Sequence, residues 1–534
     1  MRPEVTAVIL EYDIARNIAG YLYPTYLDAT PWEAQDLIRF GLTCRALYHP
    51  AMDILWYCID GLAPLLHTFP PAIRAIKPNR NGTSIPCASD WSRFLSYAAR
   101  VREIRLPLRR HWLYDTAEDA AYKAVAIHRP SIDGPLFPKL HTISRSSVDD
   151  AFTSHVPLFI SSTLQSISLR VTTNFSATNL LDTLRFRSCR LRCFELSVEV
   201  ECSAYTYDAL RQAMRCWPEI ETFKLTGHWD FSLKSEEILH LSRLYSLTRL
   251  GIGHISITRG FDTSKLTGND VCFPSLCELG AEIGEGQDNL TQAEQLIRTV
   301  TSPALQEISL HVGSPRYEPA MRQLFSAMEE HRQLRIIIVD SSSTRIPFPE
   351  SDGTLFDVLL SGSTLEPLFG IPNITALCID YLPFALYEED IHRLAESWPS
   401  LQVLRLSTGC FCPDFTPCLP YSSLIAFKAC PDLYHLSLVF ATILPDMSAD
   451  REPVGFKLQV IDVGQTDVDD SMIELLAEYL VDLFPNVSLC ITETSLLNGS
   501  VTFAKQNVLL KLHFRMIERG ELRRNATKGA EDET

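Results

Sequence analysis

Four cysteines crowd one stretch of the sequence: Cys410, Cys412, Cys418 and Cys430, beside Pro413, Pro417 and Pro420. Thiolates are the ligands a tetrahedral zinc site would use, and such sites draw them from closely spaced pairs. The C-x-C…C…C spacing fits no common zinc finger. The expectation is therefore buried, inert thiols and no metal. Asp467, Asp469 and Asp470 have the residue type of a calcium loop. The glycine such a loop needs at its sixth position is Met472, so Asp469 or Asp470 reads as a helix N-cap instead. Glu388, Glu389 and Asp390 stand the same way before Ile391, where acidic residues complement a helix dipole. Gly251-Ile252-Gly253 lacks the third glycine of a dinucleotide fingerprint. No GxxxxGK[ST], HExxH or GxSxG occurs, and the histidines are scattered singly. Chemistry on this chain thus has no positive support in the sequence. The expectation is a protein that is not an enzyme and has no cofactor.

The elements that would position any site come from a repeat. From about residue 100 to 490 one pattern recurs: apolar, two residues, apolar, one residue, apolar. Clear copies are Val101-Ile104-Leu106, Leu191-Phe194-Leu196, Ile220-Phe223-Leu225, Leu334-Ile337-Val339 and Leu401-Leu404-Leu406. Weaker ones start at Leu140, Leu276 and Val487, making 14 anchors in all. Eight of the spacings are 27–29 residues. Proline precedes the anchor by two residues in eight copies: Pro138, Pro218, Pro274, Pro303, Pro372, Pro399, Pro431 and Pro485. It ends the preceding helix and forces extended geometry on its predecessor. The segments before it carry helical stripes, as in Ile391, Leu394, Ala395 and Trp398, or Ala209, Leu210, Ala213, Met214 and Trp217. Strand plus helix at a fixed period is an α/β solenoid, and its spacing resembles a leucine-rich-repeat horseshoe of parallel strands with outer helices. The Asn or Cys expected eight residues after each anchor is mostly absent, as at Thr172, His228 and Gly313.

Alternation along the strands then fixes a face. With Leu404 and Leu406 inward, Val403, Arg405 and Ser407 face the concave side. So do Arg249, Glu278, Glu282, Glu307, His311, Asp340, Asp380, His435 and Asp462. This mixed-charge face is the expected substrate-binding surface. Inserts at 341–354, 408–422 and 441–455, rich in Ser, Pro, Asp and Gly, read as solvent loops or as grips on one rim.

The first sixty residues lack the strand pattern and read as three short helices. Leu10-Glu11-Tyr12-Asp13-Ile14, Ile18, Tyr21-Leu22, Leu42-Thr43-Cys44-Arg45, Leu47 and Leu55-Trp56 follow one another in order. This order resembles an F-box: Leu-Pro-x-Glu-Ile, Ile, Tyr-Leu, then Leu, Thr-Cys-Arg and Leu-Trp. Glu11 stands where the family has proline. With the repeats that follow, the whole chain resembles fungal F-box proteins with irregular leucine-rich repeats. That resemblance implies an F-box at 8–60, a helical linker or N-terminal cap at 61–100, the repeat domain at 101–495, and a capping helix and charged tail at 496–534. It implies a substrate-recognition subunit of a Skp–cullin–F-box ubiquitin ligase. The Skp-type adaptor, and through it a cullin–RING ligase, would dock on Leu10, Ile14, Ile18, Leu22, Leu42, Cys44, Arg45, Leu47 and Trp56. A protein substrate would bind the repeats. The alternative is a leucine-rich scaffold or regulator whose N-terminal helices merely cap the solenoid, with those apolar residues buried in its own core.

Composition narrows the partners. Lys and Arg total 48 against 65 Asp and Glu, a net charge of −17. Such a chain repels phosphate backbones, so no broad nucleic-acid surface is expected. The basic cluster Arg515, Arg519, Arg523 and Arg524 is too small to reverse this. No apolar run reaches the ~20 residues that span a bilayer. The 15 cysteines are too sparse and too odd in number for a disulfide scaffold. The opening MRPEVTAVILEYD lacks the long apolar stretch of a secretion signal. The expected location is cytoplasmic, nuclear or both.

Overall fold

The computed structural model describes residues 12–22, 35–69, 88–106, 125–126, 135–145, 156–187, 190–200, 202–227, 233, 235–255, 272–283, 287–312, 318–341, 360–380, 382, 384–408, 418–441, 453–454, 457–463, 472–489, 512 and 514–521. They form two compact units, Met1–Phe231 and Ser232–Thr534.

In the first unit three helices, Tyr12–Tyr21, Gln35–Thr43 and Arg45–Leu55, precede six strands. The strands are β1 Cys58–Asp60, β2 Glu103–Leu106, β3 Thr142–Arg145, β4 Ser166–Val171, β5 Cys193–Val198 and β6 Thr222–Gly227. Each pairs with the next in parallel and in sequence order. Helices Ala88–Ala98, Asn174–Phe186 and Ala204–Met214 fill crossovers between strands.

The second unit runs β7 Arg249–Ile255, β8 Glu278–Ile283, β9 Glu307–Val312, β10 Ile336–Asp340, β11 Leu360–Ser361, β12 Ala376–Asp380, β13 Phe384–Ala385, β14 Val403–Thr408, β15 His435–Ser437, β16 Val460–Asp462 and β17 Ser488–Leu489. Apart from the side pair β11–β13, these also pair in parallel and in chain order. Helices Ser235–Ser242, Gln287–Thr299, Glu318–Glu329, Glu388–Ser397 and Ile473–Leu483 occupy connections. Each unit is thus an α/β array with one strand per repeat, compatible with a solenoid.

The repeat signal translates directly into packing. A strand begins two residues after 13 of the 14 anchors and one residue after Val487. The described anchor positions are buried throughout, from Val101 and Ile104 to Leu458 and Ile461. Burying a Leu-sized side chain contributes roughly 1.5–3 kcal/mol, so each triplet makes a substantial local core. The prolines have a defined place. The N–H of Leu140 donates to the Phe137 carbonyl, that of Ile220 to Trp217 and that of Leu401 to Trp398. Pro138, Pro218 and Pro399 therefore hold the second position of a β-turn, where a fixed φ near −65° fits. The first turn residue points inward: Phe137, Trp217, Phe273, Trp398, Cys430 and Phe484 are all buried.

Three expectations change. The array starts earlier than residue 101, because Cys58–Asp60 already pairs with Glu103–Arg105. Trp56 occupies the anchor position and Ile59 the second apolar position of a degenerate repeat whose third place is Gly61. Helices do not fill every repeat. Gly362–Gly370 and Tyr421–Ala429 are 3-10 segments, one carrying Pro367 internally and the other starting after Pro420. Proline removes the donors an α-helix needs. The small pair β11–β13 also has no sequence signature. Most of the inserts 341–354, 408–422 and 441–455 lies outside the described residues, as do Asp467, Asp469 and Asp470.

At the C-terminus, Leu512 and Met516 are buried, and residues 514–521 are helical. Arg515 reaches Glu474 at 2.7 Å, and Arg519 approaches Glu474 and Glu478 at 3.8 and 3.7 Å. Two of the four basic residues thus lie on the last helix of the repeats, as a capping segment requires.

Candidate functional site

The N-terminal helices close on a small interior of Ala19, Leu37 and Ala51, with Leu22, Phe40, Ile54 and Leu55 packed against it. Gly41 permits this approach, since a Cβ there would lie 2.8 Å from the Ala51 methyl. Beside the buried stripes, other apolar side chains stand among exposed Asp13, Asn17, Asp36 and Arg39. Ile14, Ile18 and Tyr21 recur at helical spacing on the first helix, and Ile38 and Leu42 lie four apart on the second. Leu42 is 70 % exposed and Tyr21 91 %, while Ile18 and Ile38 are also exposed. Cys44 and Arg45 are exposed beside them.

Not all the sequence-selected residues belong to this surface. Leu47 is only 5 % exposed, and Leu22 packs on the module's own interior. Both are core, because their helical faces turn toward Ala19 and Ala51. Trp56 stacks on Tyr97 with ring centroids 4.7 Å apart. Its place at the head of β1 turns it toward the helix Ala88–Ala98. Ile14 is half-buried, and Leu10 lies outside the described residues. Ile38 and Tyr21 belong on the surface but were passed over, since the F-box pattern gives no weight to the first and reads the second only as part of Tyr-Leu.

The strand face of the second unit brings the other candidates into rows. Glu278 stands in register between Arg249 and Glu307, and Arg249 Nε bonds Glu278 at 3.0 Å. In the next row Glu282, His311, Asp340 and Asp380 follow one another across four strands. His311 Nδ1 lies 3.5 Å from Asp340. That hydrogen bond, with the charges of Asp340 and Glu282, raises the His311 pKa above the ordinary value despite burial. Burial, and then Arg405, pushes His435 the other way. Cys378 is driven up to about 11 by burial, so it stays a thiol.

Two expected surface carboxylates are not displayed. Asp380 is 7 % exposed and holds Arg405 Nη2 at 2.7 Å. It therefore positions Arg405 rather than offering itself to a partner. Asp462 is 4 % exposed. It ends a three-residue strand, where the in–out alternation lapses and the chain turns inward. Its register partner Ser437 is enclosed for the same reason. Half-buried Ile336, Ala376 and Val403 continue the row of Glu278 and Glu307 onto the next strands, and half-buried Ile338 lies one row further along. Charge alone does not pick them out, although the unbroken Ile336-Ile337-Ile338-Val339 run signals a strand apolar on both faces.

The remaining sequence candidates stay apart. Cys430 is buried, its Sγ 3.4 Å from the Trp398 carbonyl, whereas Cys418 is exposed. Cys410 and Cys412 lie outside the described residues. Among the described residues no three His, Cys, Asp or Glu converge on a metal position, and no helix is long and apolar enough to cross a membrane. His331 is a core histidine, its Nε2 3.1 Å from the Ile297 carbonyl. No family model matches the chain, and no curated protein matches it.

Proposed function

We propose that the chain is a protein-recognition receptor of the Skp–cullin–F-box class. Its N-terminal helices take up the adaptor and its strand face takes up a protein cargo. The observation that carries this reading is the exposed apolar surface of Ile18, Tyr21, Ile38 and Leu42. It sits on helices whose other faces are already filled by Ala19, Leu37 and Ala51. Large apolar side chains left exposed on helices whose other faces are filled are surface available to a partner. The cargo side rests on Glu278, Glu307, His311, Asp340 and Arg405 on the same strand face as half-buried Ile336, Ile338, Ala376 and Val403. Such a mixture of charged and apolar groups suits a protein partner.

The test is co-expression with a Skp-type adaptor, followed by size-exclusion chromatography of wild type and Leu42→Asp. Stable co-elution that is lost in a still-folded variant is expected. A folded, monodisperse wild type that never co-elutes removes the reading. The scaffold alternative draws support from Leu47, Leu22 and Trp56, which pack on the chain itself. It would be favoured by that negative result.

A further inference from the structure

A pocket in the first unit is lined by Tyr12, Arg16, Asp53, Arg100, Arg102 and Lys139. Four of these six residues are cationic and one is a carboxylate, in a chain whose net charge is −17. The single carboxylate is already engaged. Asp53 accepts from the Tyr12 hydroxyl and pairs with Arg100. Arg100 also donates to the His49 carbonyl and meets His49 Nδ1 at 2.9 Å. Among the described residues, Arg16, Arg102 and Lys139 make no ion pair.

The cations come from separate elements, and each is held by its backbone. Arg16 is on the helix Tyr12–Tyr21. Arg102 heads β2, and its carbonyl accepts the N–H groups of His141 and Thr142 at 2.8 and 3.1 Å. Lys139 follows Pro138 in the turn closed by Leu140 and Phe137. The field of Arg102 is felt by its neighbour, since burial and then this guanidinium lower the His141 pKa. Like charges gathered around one hollow repel. A bound anion would offset the repulsion. Arginine forks with a lysine beside them suit a tetrahedral oxyanion, through paired charge-assisted hydrogen bonds.

We propose that this pocket is an oxyanion site that takes a phosphate group. The group would tie the helix Tyr12–Tyr21 to the first repeats through Arg16 on one side and Arg102 and Lys139 on the other. The source is either free phosphate or a phosphorylated side chain of another protein.

The test is calorimetric titration of the full chain at constant ionic strength with inorganic phosphate, and with a neutral peptide carrying one phosphoserine. The unphosphorylated peptide and chloride serve as blanks. Binding of either phosphate probe is expected. In Arg102→Ala with Lys139→Ala it should weaken by about tenfold or more. Arg187→Ala with Arg243→Ala removes the same charge elsewhere and should leave it within about twofold. A phosphopeptide that binds far more tightly than free phosphate assigns the source to a modified protein. Equal affinity assigns it to free phosphate. The proposal is overturned if neither probe binds above the blanks, or if both double variants weaken binding equally. Loss of binding together with loss of the folded circular-dichroism spectrum would be resolved by the single variant Lys139→Ala. Lys139 is exposed, so its removal leaves packing intact, and unchanged binding there together with a folded spectrum would also overturn the site.

Discussion

The N-terminal helices and the strand repeats handle apolar side chains in opposite ways. In the repeats every described anchor is buried, and the alternate strand positions carry the polar residues. In the helices, Ala19, Leu37 and Ala51 are buried while the larger Leu42 and Tyr21 stand outside. A solenoid repeat finds its cover in the next repeat. Among the described residues, no element covers Leu42 or Tyr21 of the three-helix module in that way. Burial in one region therefore reports folding, and exposure in the other is what the proposed adaptor surface rests on.

A second contrast runs between the two strand faces. In the first unit, Ser168 donates to Glu195, Lys224 lies 3.9 Å from Glu195, and Arg105 bonds Glu103 at 2.8 Å, so charges are matched locally. In the second unit, Glu278, Glu282, Glu307 and Asp340 outnumber Arg249 and Arg405 on the face. The interior of both faces is the same ladder of buried Leu, Ile and Phe. The two units thus differ at positions the fold leaves unconstrained.

The contrast between folding and partner residues breaks most visibly at a buried anchor. Leu404→Ala and Leu196→Ala should each cost about 2–5 kcal/mol in chemical denaturation, because both side chains are buried in well-packed arrays. A cost near zero at either would remove the claim that the anchors hold the array. Leu42→Asp should change stability by no more than about 0.5 kcal/mol while abolishing adaptor retention. A cost of several kcal/mol would instead mark Leu42 as core.

The face of the second unit can be sharpened by pH. In proton NMR titrations His311 should titrate above His435, and Asp340→Asn should move His311 downward. Protonated His311 is favoured in the folded state, so its contribution is present at acid pH and lost as pH rises through its folded pKa. His435 acts oppositely, and stability falls as pH drops below the ordinary histidine value. Coincident titration would sink the assigned environments. Smallest of all, Arg249→Ala should cost only about 0–1 kcal/mol, since its pair with Glu278 is solvent-screened.

Much of the fold was legible because its signals are local. An apolar triplet and a proline two residues ahead fix turn, strand and inward face within one short window. The first strand escaped because Trp56, Ile59 and Gly61 offer only two apolar places. The 3-10 segments at Gly362–Gly370 and Tyr421–Ala429 escaped because their apolar residues mimic a helical stripe. At the candidate sites, alternation identified Arg249, Glu278, Glu307 and His311 as face residues. It failed at Asp380 and Asp462, where burial depends on a partner arginine or on the end of a strand. The pocket joins Arg16, Asp53, Arg100, Arg102 and Lys139, which only folding brings together.

The most direct measurement is amide hydrogen exchange of the full chain with and without a Skp-type adaptor. Added protection confined to the helices Tyr12–Tyr21 and Gln35–Thr43, and absent in Leu42→Asp, is the expected result. Unchanged exchange in those helices at saturating adaptor, or protection appearing on the strand repeats instead, would contradict the assignment of this surface to the adaptor.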